Sequence, residues 1–248
     1  MFSVVIPTFN EAKFLGDLLL AIKAQTIQPV EIIVADNHSS DQTRMIAKQF
    51  GCKIVSGGSP AVGRNHGARA VTQKIIFFLD ADVELASPDF FARALAEMNK
   101  ESGSIGSCRI KNSTIAGNRS MRLGELITDV RPLLNQATIA LTGKLFSDMG
   151  AVMICTKALW EKIAGFDEKL YTIEDTDFFR RAVAAGGKYF FVKVTVLISP
   201  RRFIKRSRLK LVKMSVLLIA ILTLSFFGIK KYAGLHEEYQ KEKGKLGG

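Results

Sequence analysis

Ile75-Ile76-Phe77-Phe78-Leu79-Asp80-Ala81-Asp82 runs five apolar residues into two carboxylates one residue apart. A short, unbroken apolar run reads as a strand buried on both faces, which belongs to a sheet covered by helices on either side. In an open α/β sheet the ligand crevice lies outside the carboxyl ends of the strands, so the two acids are delivered to the rim where a ligand binds. Carboxylate oxygens are hard ligands suited to Mg²⁺ or Mn²⁺, and those cations suit a diphosphate.

Working outward, strands are predicted at residues 2–6, 31–35, 53–56, 75–79, 104–110, 151–155 and 189–197. Helical spacing falls between them, at residues 11–25, 42–50, 62–71, 89–99, 119–135, 157–163 and 175–185. This alternation predicts the α/β class, an open and mostly parallel sheet flanked by helices. Residues 111–147 are the least patterned, and an elongated insertion or mobile loop there suits an acceptor site. No Gly-x-Gly-x-x-Gly follows the first strand and no Gly-Lys-Ser/Thr loop occurs, which counts against a dinucleotide dehydrogenase and a P-loop NTPase.

The net charge of +12 over 248 residues suggests nucleic acid only if it is spread over the folded surface. It is not. Residues 201–248 hold 12 Lys and Arg against 3 acids, leaving 23 against 20 in residues 1–200. The basic residues bracket an apolar segment, 211–229, interrupted only by Lys213 and about as long as a bilayer core requires. Upstream lie Arg201, Arg202, Lys205, Arg206, Arg208 and Lys210, and downstream Lys230 and Lys231. The pattern predicts a main domain over 1–200, a basic juxtamembrane segment over 201–210, a transmembrane or membrane-associated helix over 211–229 and a polar tail over 230–248. The heavier upstream charge puts the N-terminal domain on the cytoplasmic side of a cell membrane. A buried core helix and a helix lying in the interface plane are the other readings of the same segment. Residues 1–20 lack the order of a secretory signal. The three cysteines, Cys52, Cys108 and Cys155, match neither a zinc spacing nor a disulfide framework and read as buried thiols in a reducing compartment.

Three predicted strand ends bring polar groups to one edge. The first supplies Pro7, Thr8, Asn10 and Glu11, the second Asp36 to Asp41, and the fourth Asp80 and Asp82. Asp36 stands where a side chain reaches a base or ribose, while Ser40 and Asp41 serve equally as caps for the helical run from Gln42. Further on, Glu174-Asp175-Thr176-Asp177 opens a helix, where acids complement the dipole. Three adjacent acids exceed what capping needs, and one of them beside a diphosphate pocket suits a general base.

This ordered set resembles glycosyltransferase family 2, the inverting nucleotide-sugar enzymes of the GT-A fold. The matching stretches are Val4-Val5-Ile6-Pro7-Thr8-Phe9-Asn10-Glu11, Asp36 to Thr43, Gly63-Arg64-Asn65-His66-Gly67, Phe78 to Asp82, Gly165-Phe166-Asp167-Glu168, and Glu174-Asp175 with Asp177, Phe178 and Arg181. The resemblance implies that Thr8, Glu11 and Asp36 hold the nucleoside, with Pro7, Asn10 and Ala81 on the same rim and Arg64 and Asn65 lining the donor side. It implies Asp82 as the principal ligand of a Mg²⁺ or Mn²⁺ ion, Asp80 as a contact to nucleoside or metal, Glu84 as a third ligand and Asp175 as the catalytic base. The implied donor is a UDP-, GDP- or dTDP-sugar, and the acceptor a lipid-linked or glycan (polysaccharide-precursor) molecule at the membrane. Three departures stand out. Ala35 replaces the first acid of an Asp-Asp pair, and His38 stands where glycine is common. Ser199-Pro200-Arg201-Arg202-Phe203 stands where processive members carry Gln-x-x-Arg-Trp, which favours single transfer. A sugar nucleotidyltransferase and a membrane-anchored nucleotide-sugar-binding protein without turnover are the rival readings; nucleic-acid binding is the least compatible.

Overall fold

The computed structural model describes residues 1–112, 119–146, 150–170 and 173–199, with residues 220, 223, 224, 226 and 227. The chain begins as repeated strand–helix units: β1 (Ser3–Thr8), α1 (Ala12–Lys23), β2 (Glu31–Asp36), α2 (Thr43–Gln49), β3 (Lys53–Ser56) and α3 (Pro60–Arg69). Next come β4 (Ile75–Leu79), the two-residue β5 (Val83–Glu84), α4 (Phe90–Lys100) and β6 (Ile105–Asn112). The remainder comprises α5 (Arg119–Thr142), β7 (Val152–Thr156), α6 (Lys157–Lys162), α7 (Glu174–Ala184) and β8 (Tyr189–Ile198).

The eight strands form one sheet in the order β3-β2-β1-β4-β7-β6-β8-β5. The half β3-β2-β1-β4 is parallel, as expected. In the other half only β6 and β8 are parallel, while β7 runs against both β4 and β6, and β5 against β8. The sheet is therefore mixed rather than mostly parallel, because an apolar run records burial and not direction. Reversal of β7 has a consequence for the rim: Val152, its first residue, stands opposite Leu79, the last of β4. Gly150 and Ala151 thus arrive beside Asp80, whose amide donates to the Ala151 carbonyl at 2.9 Å.

Both sheet faces are covered, which explains the unbroken apolar runs. Val4, Ile6 and Phe77 enter one core with Phe90 and Phe91 of α4, while Val5 and Phe78 enter a second core with Phe166 and Phe178. Helix α3 packs on the second face. Ser59 caps it, its Oγ accepting from the Val62 amide at 3.4 Å, and Pro60 occupies its first turn. Gly67 lets it approach β1 closely, since a Cβ there collides with the Val5 side chain. Gly67→Ala is expected to destabilise the fold by about 1–3 kcal/mol, as overpacking of a rigid β-branched neighbour does; chemical denaturation of the full chain measures it, and an unchanged midpoint contradicts the close packing.

Of the two expectations for residues 111–147, an elongated insertion or a mobile loop, the described part is an elongated helix. Most of these residues belong to α5, which continues beyond the predicted end at residue 135 to Thr142 and contains Pro132. Cys108 and Cys155 are buried and Cys52 partly so, all three as free thiols. Burial pushes the Cys52 thiol up to about 11, against the attraction of Lys23. Residues 201–210, most of 211–229 and 230–248 lie outside the described residues. Among the described residues no helix is long and apolar enough to cross a membrane.

Candidate active site

Strands β1 and β2 end side by side, with Thr8 paired to Asp36. Thr8 Oγ1 donates to Asp36 Oδ1 at 3.1 Å, the Ser39 hydroxyl to the same oxygen at 2.6 Å, and the Ser39 amide to Oδ2 at 3.1 Å. Arg44 Nε lies 3.8 Å from Oδ2, and the Asp36 side chain is only 1% exposed. Asp36 thus shapes its own loop at the end of β2. Thr8 is buried with it.

The loops after β1 and β2 are stapled together. The Asn10 amide donates to Ser39 Oγ at 2.8 Å, and Asn10 Oδ1 accepts from the Ser40 amide at 2.9 Å. The Glu11 amide donates to Thr43 Oγ1 at 2.8 Å. Asp41 caps α1 across the gap, accepting from the Ala12 amide at 3.0 Å as well as from the Thr43 amide at 2.9 Å. Burial pushes the Asp41 carboxyl up, but the hydrogen bonds from Thr43 and Ala12 outweigh it and hold the group below the usual carboxylate range. His38 is exposed at φ 53°, a left-handed conformation that explains why glycine suits this position. Pro7, opposite Ala35, is partly buried. Phe9, which the sequence reading passed over, is 58% exposed on this rim and offers a flat apolar face. An aromatic between two polar residues just past a strand was the available signal.

The carboxylates at the centre are organised by Arg64. Its guanidinium reaches Asp80 Oδ1 at 2.8 Å, Glu174 Oε1 at 3.4 Å and the Gly150 carbonyl at 3.4 Å. The Arg64 side chain is 4% exposed, with Asp80 and Glu174 at 20% and 16%. Its guanidinium carbon lies 5.6 Å from the centroid of the Phe166 ring, which stacks on Phe178 at 4.0 Å. Burial disfavours the charge on Arg64, but Asp80, Glu174 and Asp175 outweigh it, so the guanidinium holds its proton more firmly than in water. A buried arginine shared by a strand end and a helix start fixes α7 against β4.

Asp175 opens α7, whose preceding residue Ile173 is held at φ 59°. A β-branched residue there is strained, a feature found at sites the surrounding fold over-determines. The Thr176 amide donates to Asp175 Oδ1 at 2.7 Å. Gly150 gives the carboxylate room: a Cβ at that residue would stand 2.8 Å from Oδ2. Desolvation, reinforced by Glu174 and opposed by Arg64, pushes the Asp175 carboxyl up to about 7. A carboxylate that gains and loses a proton near neutrality suits a general base.

Other expected residues fall elsewhere. Asn65 is 1% exposed and does not line the donor side; its amide nitrogen donates at 2.9 Å to both the Phe166 carbonyl and Glu168 Oε1, while its Oδ1 accepts from the Phe166 amide at 2.8 Å. It clamps the loop that carries the ring under Arg64. Ala81 buries its methyl in the core, leaving only backbone for a ligand. Asp82 is partly exposed, and its carbonyl accepts from the Ser199 amide at 3.2 Å. Glu84 is exposed on the edge strand β5, and among the described residues no group of three or more His, Cys, Asp or Glu could hold a metal ion, so the three-acid set is not assembled. A Mg²⁺-type site ordinarily uses one or two carboxylates plus substrate phosphates, and the hard oxygens of Asp80 and Asp82 fit that smaller set.

Residues 3–159 match the family described as Glycosyl transferase family 2. The chain belongs to this family. It is 38% identical over 92 residues to the 4,4'-diaponeurosporenoate glycosyltransferase of Staphylococcus haemolyticus, a match covering 34% of this chain and 24% of that protein. An uncharacterised glycosyltransferase of Rickettsia typhi is 26% identical over 201 residues, covering 78% of this chain and 62% of its own length. This family 2 glycosyltransferase thus spans less than two thirds of either relative. Staphylococcus aureus TarS, solved with UDP-GlcNAc, superposes over 99% of this chain and 73% of its own at a TM-score of 0.62 and 18% identity. Glucosyl-3-phosphoglycerate synthase from Mycobacterium tuberculosis, solved with Mn²⁺, UDP and glucosyl-3-phosphoglycerate, covers 92% and 80% at a TM-score of 0.60 and 21% identity. These likenesses speak to a shared GT-A fold.

Proposed function

We propose that this family 2 enzyme moves a single sugar from a nucleoside diphosphate donor to a membrane-associated acceptor, lipid-linked or a glycan precursor, with inversion at the anomeric carbon. One observation carries the reading: Arg64 ties Asp80 at the end of β4 to Glu174 at the start of α7, which sets the neighbouring Asp175 within reach of the same guanidinium's charge. The nucleoside lies over the stapled rim of β1 and β2, where the exposed Phe9 ring is available to stack on a base. Asp82 is the principal ligand of Mg²⁺ or Mn²⁺, with Asp80 partly engaged by Arg64. A bound cation there neutralises charge on the leaving diphosphate. Asp175 takes the proton of the acceptor hydroxyl as its oxygen attacks the sugar from the face opposite the diphosphate. Where the acceptor is a phosphate the nucleophile is already ionised, and Asp175 only positions it. The apolar segment 211–229 with its basic flanks supports attachment to a cell membrane with the site on the cytoplasmic face.

The test is a panel of UDP-, GDP- and dTDP-sugars, each with Mn²⁺ or Mg²⁺, assayed for slow donor hydrolysis and for binding by calorimetry. One donor class is expected to bind in a metal-dependent way, and Asp82→Ala to lose the metal-dependent part of that affinity. An Asp82→Ala protein that binds donor and metal as the wild type does contradicts the ligand assignment.

A further inference from the structure

From Val130 onward, α5 inverts the usual arrangement of a surface helix. Pro132 and Asn135 are buried and Ile139 partly so, whereas Val130 is 49%, Leu133 67%, Leu134 41% and Leu141 84% exposed. At 3.6 residues per turn, Val130, Leu133, Leu134, Ala137 and Leu141 fall within an arc of about 100°, on the side opposite Pro132, Asn135 and Ile139. A helix exposed to water turns its leucines inward and its amides outward. Single exposed leucines need no explanation, but a continuous stripe marks a contact surface.

The surroundings say what that contact is. Phe146, just beyond the end of α5, has its ring 5.6 Å from that of Phe226, a residue of the apolar segment 211–229. Arg180 of α7 lies over the same ring at 5.7 Å and donates to the Leu145 carbonyl at 3.1 Å. The end of α5 is therefore next to Phe226, which belongs in sequence to the most apolar part of the chain. In sequence that part is flanked by six Lys or Arg at positions 201–210 and two more at 230 and 231, and Lys144 is exposed just past the end of α5. An apolar stripe with a cation at its end suits anionic lipid headgroups over acyl chains. A second copy of the chain fits less well, because five small or medium side chains fall short of the roughly 800 Å² per partner that stable interfaces bury.

We propose that the outward stripe of α5 is a membrane contact, separate from the segment 211–229, which lays the helix in the headgroup region and turns the catalytic opening toward an acceptor held in the bilayer. The proposal rests on the membrane-associated acceptor argued above and narrows it. From the end of α5 the chain reaches Gly150 against Asp175 within eight residues. The acceptor's reactive hydroxyl or phosphate accordingly sits at headgroup depth, as in a lipid-linked sugar or a lipid phosphate.

The experiment uses the full chain with one added tryptophan, Leu133→Trp, Leu141→Trp or, off the stripe, Gln136→Trp, on vesicles of phosphatidylcholine and phosphatidylglycerol with brominated acyl chains. The native Trp160 is buried and the wild-type chain is the blank. Flotation of each protein with the vesicles is recorded in parallel. The expected result is bromine quenching at positions 133 and 141 and none at 136. If the proteins float but 133 and 141 are not quenched, α5 is no membrane contact, while attachment through the C-terminal segment stands. If none floats, both fall. Blue-shifted emission from position 133 without lipid, together with a dimer mass by light scattering, makes the stripe a self-association face and overturns the proposal.

Discussion

Asp175→Asn will lower turnover on a hydroxyl acceptor by about 10²–10⁴-fold, the usual contribution of a positioned base, and will also make the folded protein more stable at pH 8. Both effects come from the same environment. The Asp175 carboxyl is pushed up to about 7, first by desolvation and then by Glu174. In the unfolded chain the group ionises near its ordinary value of about 3.9. Between those values the folded state keeps a proton that the unfolded state has released, so stability falls as pH rises through this window, and the penalty is complete above pH 7. Asparagine still accepts from the Thr176 amide but carries no charge. Its advantage should be about 1–2 kcal/mol at pH 8 and vanish toward pH 4, with one pKa unit corresponding to about 1.4 kcal/mol and the coupling to Glu174 and Arg64 reducing the whole. Wild-type activity should rise with pH through about 7 as the base ionises. Thermal melts at pH 5 and pH 8 and initial rates across the same range measure all three. Wild-type turnover by Asp175→Asn on a hydroxyl acceptor would remove Asp175 from the role.

Arg64→Met will destabilise the fold by about 2–4 kcal/mol, toward the lower end for a buried pair, because it leaves Asp80 and Glu174 as half-buried charges without their counter-ion. For a domain of this size the melting temperature falls by roughly 10 °C. Neutralising the stranded acids as well, in Arg64→Met with Asp80→Asn and Glu174→Gln, should recover much of that stability. It should not recover activity, since the site then lacks both the strand-end carboxylate and the arginine that sets α7 against β4. Arg64→Lys, with a single point charge in place of a fork, should fall between wild type and Arg64→Met. A loss below about 1 kcal/mol in Arg64→Met is too small for a buried pair and places the charges in solvent.

Arg64 also illustrates what a sequence carries and what it withholds. The run 75–79 ending in Asp80 and Asp82 announced a strand delivering acids to a rim, and β4 does so. The parallel half of the sheet was legible because its strands alternate with amphipathic helices. Reversal of β7 was not, and with it went the placement of Gly150 beside Asp175, a contact without any local signature. Strand β5 is too short to show a period. At the site, residue type did not disclose which polar groups also hold the fold together. Asp36 and Asn65 are polar and stand in the expected stretches, yet both spend their hydrogen bonds on neighbouring backbone and side chains. Satisfaction of a buried polar group by a distant loop is a tertiary fact. Helix α5 went the other way: Leu133, Leu134 and Leu141 face outward, so periodicity gave the helix but not the side that the domain covers.

The bond from the Ser199 amide to the Asp82 carbonyl at 3.2 Å fixes where the chain leaves the sheet, directly beside the loop that carries Asp80 and Asp82. Even fully drawn out, the eleven residues 200–210 span no more than about 40 Å. On the membrane attachment proposed above for the segment from residue 211, that length would act as a leash, confining the site to a thin layer over the lipid and turning a three-dimensional search for acceptor into one over a surface. An acceptor in the same membrane is then met at the high effective concentration of a tethered partner, whereas a water-soluble one gains nothing from the arrangement.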